Sequence, residues 1–527
     1  MEGLSYLAGA NLFELDVDLK TLLARYDPGF KEREGEYRAF GERMGKEVLE
    51  VLYHIDQDAP PALVMHDLDG KRIDRVRLSP AQKHLLEALR PLNRFAYEGK
   101  GWVPHFALGY LLADGGVYCI LTITHQVAYA LHKYAPEHQK VKEALLYGDA
   151  FGATWMTEIQ GGSDLGANRT LAILEGDRWR LYGGDKYFAS GAGLADYALV
   201  TARPEGAPAG ARGLALFLLP RLTRKGELNF KVRRLKAKLG TRAVPSGEVE
   251  LEGSEAYLIG NKEEGIYYTL ETLTVSRLAN AVAAMGIAQK GFLEAFFRAR
   301  RRESFGRRLL DHPLIRRDLV DLRVRQAGGL ALAFHAVSAF DRAWEERPPY
   351  SPRYHLARFL SHLAKNRTAE HAQKSTALAM ELFGGLGFLE EYGVARWHRE
   401  ALITPIWEGP SNIQALDLLE AMEKKGAHLL YLEELSTLLE GHREPEAALA
   451  LEVAERTLEF LKVQKEPVWY AKEALRRLAD ALSVAVLLRL GEAYEPLARL
   501  YAHRFLKREE YPDWAGGWLL AASLGER

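Results

Sequence analysis

The hydrophobic period of this chain changes twice, and that double change restricts the fold more than any other feature. Up to about residue 150 apolar residues recur mainly at helical spacing. From Phe151 to about Asn261 they alternate at period two, and from Glu263 onward helical spacing returns. The alternation is clearest in Leu171-Ala172-Ile173-Leu174, Trp179-Arg180-Leu181-Tyr182 and Gly247-Glu248-Val249-Glu250-Leu251, with Glu175-Gly176-Asp177 as a hairpin turn between the first two. Residues 197–201 and 213–219 are more continuously apolar and predict strands buried on both faces. One block of strands between blocks of helices predicts an α+β chain, mainly α.

Punctuation refines the helical blocks. Pro60-Pro61 interrupts a first helical segment ending near Ile55, Asp67-Leu68-Asp69-Gly70 predicts a turn, and Ser79-Pro80 predicts a capped helix start. Gly115-Gly116 precedes a long apolar stretch, residues 117–131, whose length predicts a buried helix with His125 as a core histidine. Residues 267–299, 313–344, 352–383 and 413–423 predict four long helices, enough for a bundle. After Gly426, residues 431–439, 446–465, 468–490 and 495–508 predict an appended helical module. The expected domains are N-terminal helical (1–150), antiparallel β (151–262), helical bundle (263–424) and a C-terminal helical extension (425–527).

Composition removes several function classes. A net charge of −1 gives no global reason to bind nucleic acid or an anionic membrane. The single cysteine, Cys119, excludes disulfide frameworks and cysteine metal sites, and predicts a buried thiol in a reducing compartment. His132 and His138 lack metal-ligand spacing, so no metal is expected. The first residues lack a signal-peptide pattern and no apolar run is long enough to span a bilayer, so the expected location is cytoplasmic.

Five stretches carry chemistry. Thr157-Glu158-Ile159-Gln160-Gly161-Gly162-Ser163-Asp164 lets backbone N–H groups and two hydroxyls converge on an anion, although a Gly-Gly-Ser-Asp turn is common by itself. In Lys186-Tyr187-Phe188-Ala189-Ser190 the aromatic Phe188 and the hydroxyl of Ser190 share one face of a strand, where they can cover and edge-bond a flat ring. Arg302-Glu303-Ser304-Phe305-Gly306 closes a cation cluster at a helix C-terminus, where the macrodipole favours positive charge. Gly384-Gly385-Leu386-Gly387-Phe388 permits close approach of backbone to a ligand. Ile406-Trp407-Glu408-Gly409-Pro410 sets one carboxylate beside an indole, just before a helix whose cap and first turn fit Gly409 and Pro410. Burial beside the indole raises a carboxyl pKa while the helix terminus lowers it, which suits Glu408 to be a general base.

In this order and spacing, these stretches resemble the acyl-CoA dehydrogenase family of flavoproteins across nearly residues 100 to 420. Met156-Thr157-Glu158, Phe188-Ala189-Ser190, the Asn412-Ile413 pair and the helices after about residue 425 are most similar to its AidB-like branch. The resemblance implies a β-barrel-like middle domain, bound FAD and a homotetramer with FAD at subunit interfaces. Met156, Thr157, Gly162, Ser163, Phe188, Ala189 and Ser190 would hold the cofactor, joined by Gly384, Gly385, Trp407, Gly409 and Asn412. Arg302 and Phe305 would reach the FAD of a neighbouring subunit. Glu408 would be the catalytic base, and Arg277 would orient its carboxylate or the acyl chain. Two departures stand out: Glu381 replaces a common Gln, and Pro410 replaces a Thr or Ser, removing an N–H and a hydroxyl.

The implied reaction is α,β-dehydrogenation of an acyl-CoA: Glu408 takes the α-proton while the β-hydrogen leaves as hydride to flavin N5. Chain length and electron acceptor stay open. The alternative from another class is a DNA-associated flavoprotein of the alkylation stress response, with which the branch is associated. Residues 421–527 carry 15 Lys and Arg against 18 Asp and Glu, so that module is slightly acidic, whereas residues 221–242 form a basic run. Such a run on a strand edge also protects against edge-to-edge pairing.

Overall fold

The computed structural model describes residues 1–522. Before the strand-rich region come helices α1 (Val17–Tyr26), α2 (Phe30–Arg43), α3 (Leu49–Gln57), α4 (Pro80–Leu89), α5 (Trp102–Leu112), α6 (Gly115–Tyr134) and α7 (Gln139–Leu146). A hairpin of β1 (Ala62–His66) and β2 (Arg72–Arg77) sits among them, turning through residues 67–70. The strand-rich region holds β3 (Gly152–Trp155), β4 (Leu171–Glu175), β5 (Arg178–Tyr182), β6 (Lys186–Ser190), β7 (Tyr197–Pro204), β8 (Ala215–Pro220), β9 (Lys231–Leu235), β10 (Ser246–Glu250) and β11 (Glu252–Leu258). Helices then resume: α8 (Gly265–Arg301), α9 (Pro313–Asp341), α10 (Pro352–Phe383), α11 (Gly393–Ala401), α12 (Ser411–Lys425) and α13 (Ala427–Leu439). The last are α14 (Pro445–Val463), α15 (Pro467–Arg489), α16 (Glu495–Tyr501) and α17 (Trp514–Ala521). Starts are chemically marked where side chains reach orphan N–H groups: Asp16 accepts from Leu19 N, Ser79 from Gln82 N, and Asp114 from Gly116 and Val117 N.

One compact unit comprises Val51–Phe95 and Asp114–Ser276. Its larger sheet runs β3-β7-β4-β5-β11-β8, with β8 also pairing β7. The expected antiparallel pairing holds for β4–β5, β5–β11, β11–β8 and β7–β8, but β3 and β4 both lie parallel to β7 along one of its edges. Parallel neighbours need long crossovers, and the alternation within a strand carries no information about its partner's direction. A second sheet, β6-β10-β9, is antiparallel throughout. Trp155, Phe217, Phe230, Val232 and Val249 fill the core of this unit, with Trp155 edge-on to Phe230. His125 is fully buried, as expected. Cys119 is only half-buried, which corrects the expectation of a buried thiol: on α6 it borders the core rather than entering it.

The other unit comprises Met1–Glu50, Ala96–Ala113 and the chain from Arg277 onward. α9 packs along α10, and α15 packs against α9, α10 and α12. The middle of α15 is buried from Leu478 to Leu488 on all sides, so the C-terminal helices continue the bundle's own core. A bidentate pair cements this contact: Arg367 Nε and Nη2 donate to Asp480 at 2.6 and 2.9 Å, and Tyr501 donates to the same carboxylate at 2.7 Å. No helix among the described residues is long and apolar enough to cross a membrane.

Candidate active site

Within the strand-rich unit, the loop after β3 is built around a buried ion pair. Lys186, the first residue of β6, places Nζ 2.8 Å from Glu158 Oε1 and 2.9 Å from Thr201 O. Glu158 also accepts from the Arg169 and Thr170 N–H groups and from the Thr170 hydroxyl. Burial pushes the Glu158 carboxyl up, but Lys186 and these donors outweigh it and hold the group below its ordinary range. The pair ties the glycine loop to the strand bearing Phe188 and Ser190. A Cβ at Gly162 would collide with Thr157 Oγ1, so glycine is what leaves that hydroxyl in place. Thr157 is half-buried and Ser163 exposed, while Phe188 keeps 53 % of its surface exposed. Ser190 Oγ lies 3.2 Å from Ser246 Oγ. The side chains of Met156 and Ala189 are buried, so these two can offer a ligand only backbone.

The basic run beside this loop is largely neutralised from within. Lys231 pairs with Glu252, Arg233 with Asp185 and Glu250, and Arg234 and Lys236 with Glu248. Lys238 donates to the carbonyls of Thr241 and Val244. Several of these residues lie on or beside β9, an outer strand of its sheet, as a protective edge requires.

In the helical unit, Glu408 occupies the turn between α11 and α12 with φ +58°, a left-handed conformation that is costly for a residue with a Cβ. Gly409 follows at φ +91°, and a Cβ there would lie 2.8 Å from Gln414 Nε2. The carbonyls of this peptide pair turn inward to a set of donors. Glu408 O accepts from Arg277 Nε at 3.1 Å and from Gln414 Nε2 at 2.9 Å. Gly409 O accepts from Lys365 Nζ at 2.7 Å and from Gln414 Nε2 at 2.9 Å. Arg277 Nη2 also pairs with Asp417 at 3.1 Å, and His362 Nδ1 lies 2.8 Å from Gln414 Oε1. Trp407 Nε1 donates to Asn280, whose own amide donates to Thr404 O.

Burial pushes Lys365 down to about 7, with the neighbouring Arg277 charge acting in the same direction and Glu408 opposing. Burial and Arg277 together push His362 down to about 3. Arg277 therefore grips the backbone of Glu408, and its Nη1 is buried without a hydrogen-bond partner. Pro410 occupies the cap position of α12 rather than its first turn, and that end has no side-chain cap. Asn412 is exposed, while Trp407 and Gly409 are half-buried.

The remaining expected residues lie on the surface of this unit. Arg302 and Phe305 sit in a tight hairpin pairing Glu303 with Arg308, where Phe305 has φ +52° and is 96 % exposed. Gly384 and Gly385 are exposed at the end of α10. Among the described residues no acidic, histidine or cysteine cluster could hold a metal ion.

Three stretches of the chain match known domain families. Residues 4–149 match the adaptive response protein AidB N-terminal domain, 153–254 the acyl-CoA dehydrogenase middle domain, and 263–423 the acyl-CoA dehydrogenase C-terminal domain. AidB of Escherichia coli (strain K12) is 30 % identical over 444 residues, covering 80 % of this chain and 79 % of AidB. The chain belongs to the acyl-CoA dehydrogenase family. Its fold agrees: the Caenorhabditis elegans ACDH-11 structure in complex with C11-CoA superposes with a TM-score of 0.86 at 25 % identity, covering 95 % of this chain and 91 % of that one. The apo form of Bd2924 gives 0.83 at 29 % identity over 92 % and 98 %. As an acyl-CoA dehydrogenase family member with an AidB-like N-terminal domain, the chain is an acyl-CoA dehydrogenase-like oxidoreductase.

Of the cradle beneath Glu408, sequence reasoning named only Arg277. Arg277 and Asn280, His362 and Lys365, and Gln414 and Asp417 are three polar pairs at i, i+3, one on each of α8, α10 and α12. Paired polar residues inside otherwise buried helices were the available signal.

Proposed function

We propose that this protein oxidises the α,β bond of an acyl-CoA thioester, with Glu408 as the base that removes the α-proton. The observation that carries this reading is the clamped, left-handed turn at Glu408. A non-glycine residue in that conformation costs energy, and such strain persists where surrounding contacts impose it. Here Arg277 and Gln414 grip the Glu408 carbonyl, and Lys365 and Gln414 grip the next one. A thioester α-proton is too weakly acidic to lose in water, so the base must be desolvated and aimed.

Members of the family are FAD flavoproteins. The residues here fit that cofactor: a Phe188 ring with half its surface exposed, an exposed Ser163 hydroxyl and a glycine loop with bare backbone. Thr157 and Ser163 would hydrogen-bond the isoalloxazine and pyrophosphate, Phe188 and Ser190 would contact the flavin, and Trp407, Gly409 and Asn412 would line the cofactor. Gly384 and Gly385, both exposed, would let backbone approach it. When bound, FAD supplies the acceptor for the β-hydride. The exposed Arg302 and Phe305 suit a homotetramer in which each subunit completes its neighbour's cofactor site. The acyl-CoA substrate class is further supported by ACDH-11, whose structure holds C11-CoA.

Anaerobic mixing of the yellow protein with a panel of acyl-CoA thioesters tests the reading. Bleaching of the flavin by at least one thioester is expected, and a panel that leaves the spectrum unchanged overturns it.

A further inference from the structure

Lys365 is a fully buried lysine in the middle of α10 whose amine makes one direct hydrogen bond, to the carbonyl of Gly409 at 2.7 Å. Burying a lysine amine is expensive, and an apolar side chain of similar length would fill the same space at lower cost. The function of this amine is therefore tied to the group it touches. That group is the carbonyl of the Gly409–Pro410 peptide, and the preceding Glu408–Gly409 peptide is held through the Glu408 carbonyl by Arg277 from α8 and by Gln414 from α12.

Glu408 and Gly409 are consecutive residues with positive φ, and the two peptides that flank Gly409 can rotate unless both of their carbonyls are anchored. Lys365 and Gln414 anchor the second carbonyl, and Arg277 and Gln414 the first. Together these contacts hold the backbone on the C-terminal side of Glu408, the turn from which its carboxylate leaves. Two charges act on the amine, Arg277 on α8 and Glu408 in the turn. Glu408 favours the charged amine and Arg277 opposes it, so the amine responds electrically to the carboxylate it helps to aim.

We propose that Lys365 is a positioning residue for the reaction: it holds the Gly409 carbonyl, and with it the turn from which Glu408 faces the α-carbon. The assignment rests on Glu408 being that base. Lys365→Met removes the donor and the charge at nearly constant volume, and Glu408→Gln serves as the control. The probe is the straight-chain acyl-CoA that bleaches the wild-type flavin fastest in a series from butyryl-CoA to dodecanoyl-CoA. Lys365→Met is expected to retain FAD and to bind this acyl-CoA within about twofold of wild type, while its limiting bleaching rate falls on the order of a hundredfold. A limiting rate within about threefold of wild type overturns the assignment and leaves Glu408 as base untouched. Lys365→Gln, which keeps a neutral N–H donor, replaces the methionine variant if that does not fold, with the same split between binding and rate expected. Loss of FAD or of cooperative unfolding in both variants also overturns the assignment, because Lys365 would then hold the fold. Bleaching of Glu408→Gln at the wild-type rate, or of no wild-type sample at all, overturns the base and the assignment together.

Discussion

Lys186 Nζ lies 2.8 Å from Glu158 Oε1, and neither side chain is exposed to solvent. Removing one partner leaves the other charge buried without a counterion, which costs about 3–5 kcal/mol. Lys186→Met is expected to lower the unfolding free energy by about that amount and to weaken FAD retention, read by urea unfolding and flavin absorbance. Pairing it with Glu158→Leu is expected to recover part of the stability, since the uncompensated charge is gone but the buried Thr170 N–H loses its acceptor.

The buried imidazole of His362 gives an acid-sensitivity prediction. Its pKa lies at about 3 in the folded chain against 6.5 ordinarily, because burial and the Arg277 charge disfavour the imidazolium. Above pH 6.5 both states are neutral at this group, so its contribution there is constant. As pH falls from 6.5 toward about 3, the unfolded chain takes up a proton that the folded chain refuses, and stability drops. Unfolding free energies measured at several pH values are expected to decline less steeply for His362→Gln, by about 1.4 kcal/mol per pH unit at most.

Glu408→Gln is expected to stay yellow yet lose bleaching by acyl-CoA, by about 10²- to 10⁴-fold. Stopped-flow reduction and the FAD spectrum separate the two outcomes, and retained reduction would remove Glu408 from the chemistry.

Glu408→Gly tests the strain directly. With no Cβ at φ +58°, the turn is relieved, and thermal unfolding is expected to show a gain of about 0.5–1 kcal/mol while bleaching is lost. A variant both more stable and inactive would mark this conformation as one kept for function.

Asp480 anchors Arg367 and Tyr501 together, so Asp480→Ala is expected to cost about 3–5 kcal/mol by thermal unfolding. Asp480→Asn, which keeps one acceptor, is expected to cost less.

Local periodicity reads out of a sequence because it is a property of neighbouring residues. Residues 352–383 were expected as a helix, and α10 spans those same residues. The hairpin at residues 175–178 likewise follows from its own turn. The parallel neighbours of β7 do not, since the connections between those strands decide direction. The shorter helices α11 and α17 passed unnoticed because each offers only two or three turns of pattern. The same division runs through the candidate site. Glu408 stands in a recognisable motif, but its left-handed turn is imposed by Arg277, Lys365 and Gln414, which only helix packing gathers. Arg277 was expected to act through its side chain on carboxylate or acyl chain, and its observed hold on the Glu408 backbone could not be read without the fold.

The pair between Arg367 and Asp480 has a consequence for shortening the chain. A chain ending after α12 would take Asp480 from the Arg367 guanidinium, leaving it Glu370 as a carboxylate partner, and would lay bare the side of α9 and α10 that α15 covers. Removing the helices after α12 would therefore require several buried positions to change as well. Substitutions at position 367 are answerable to a residue more than a hundred places away.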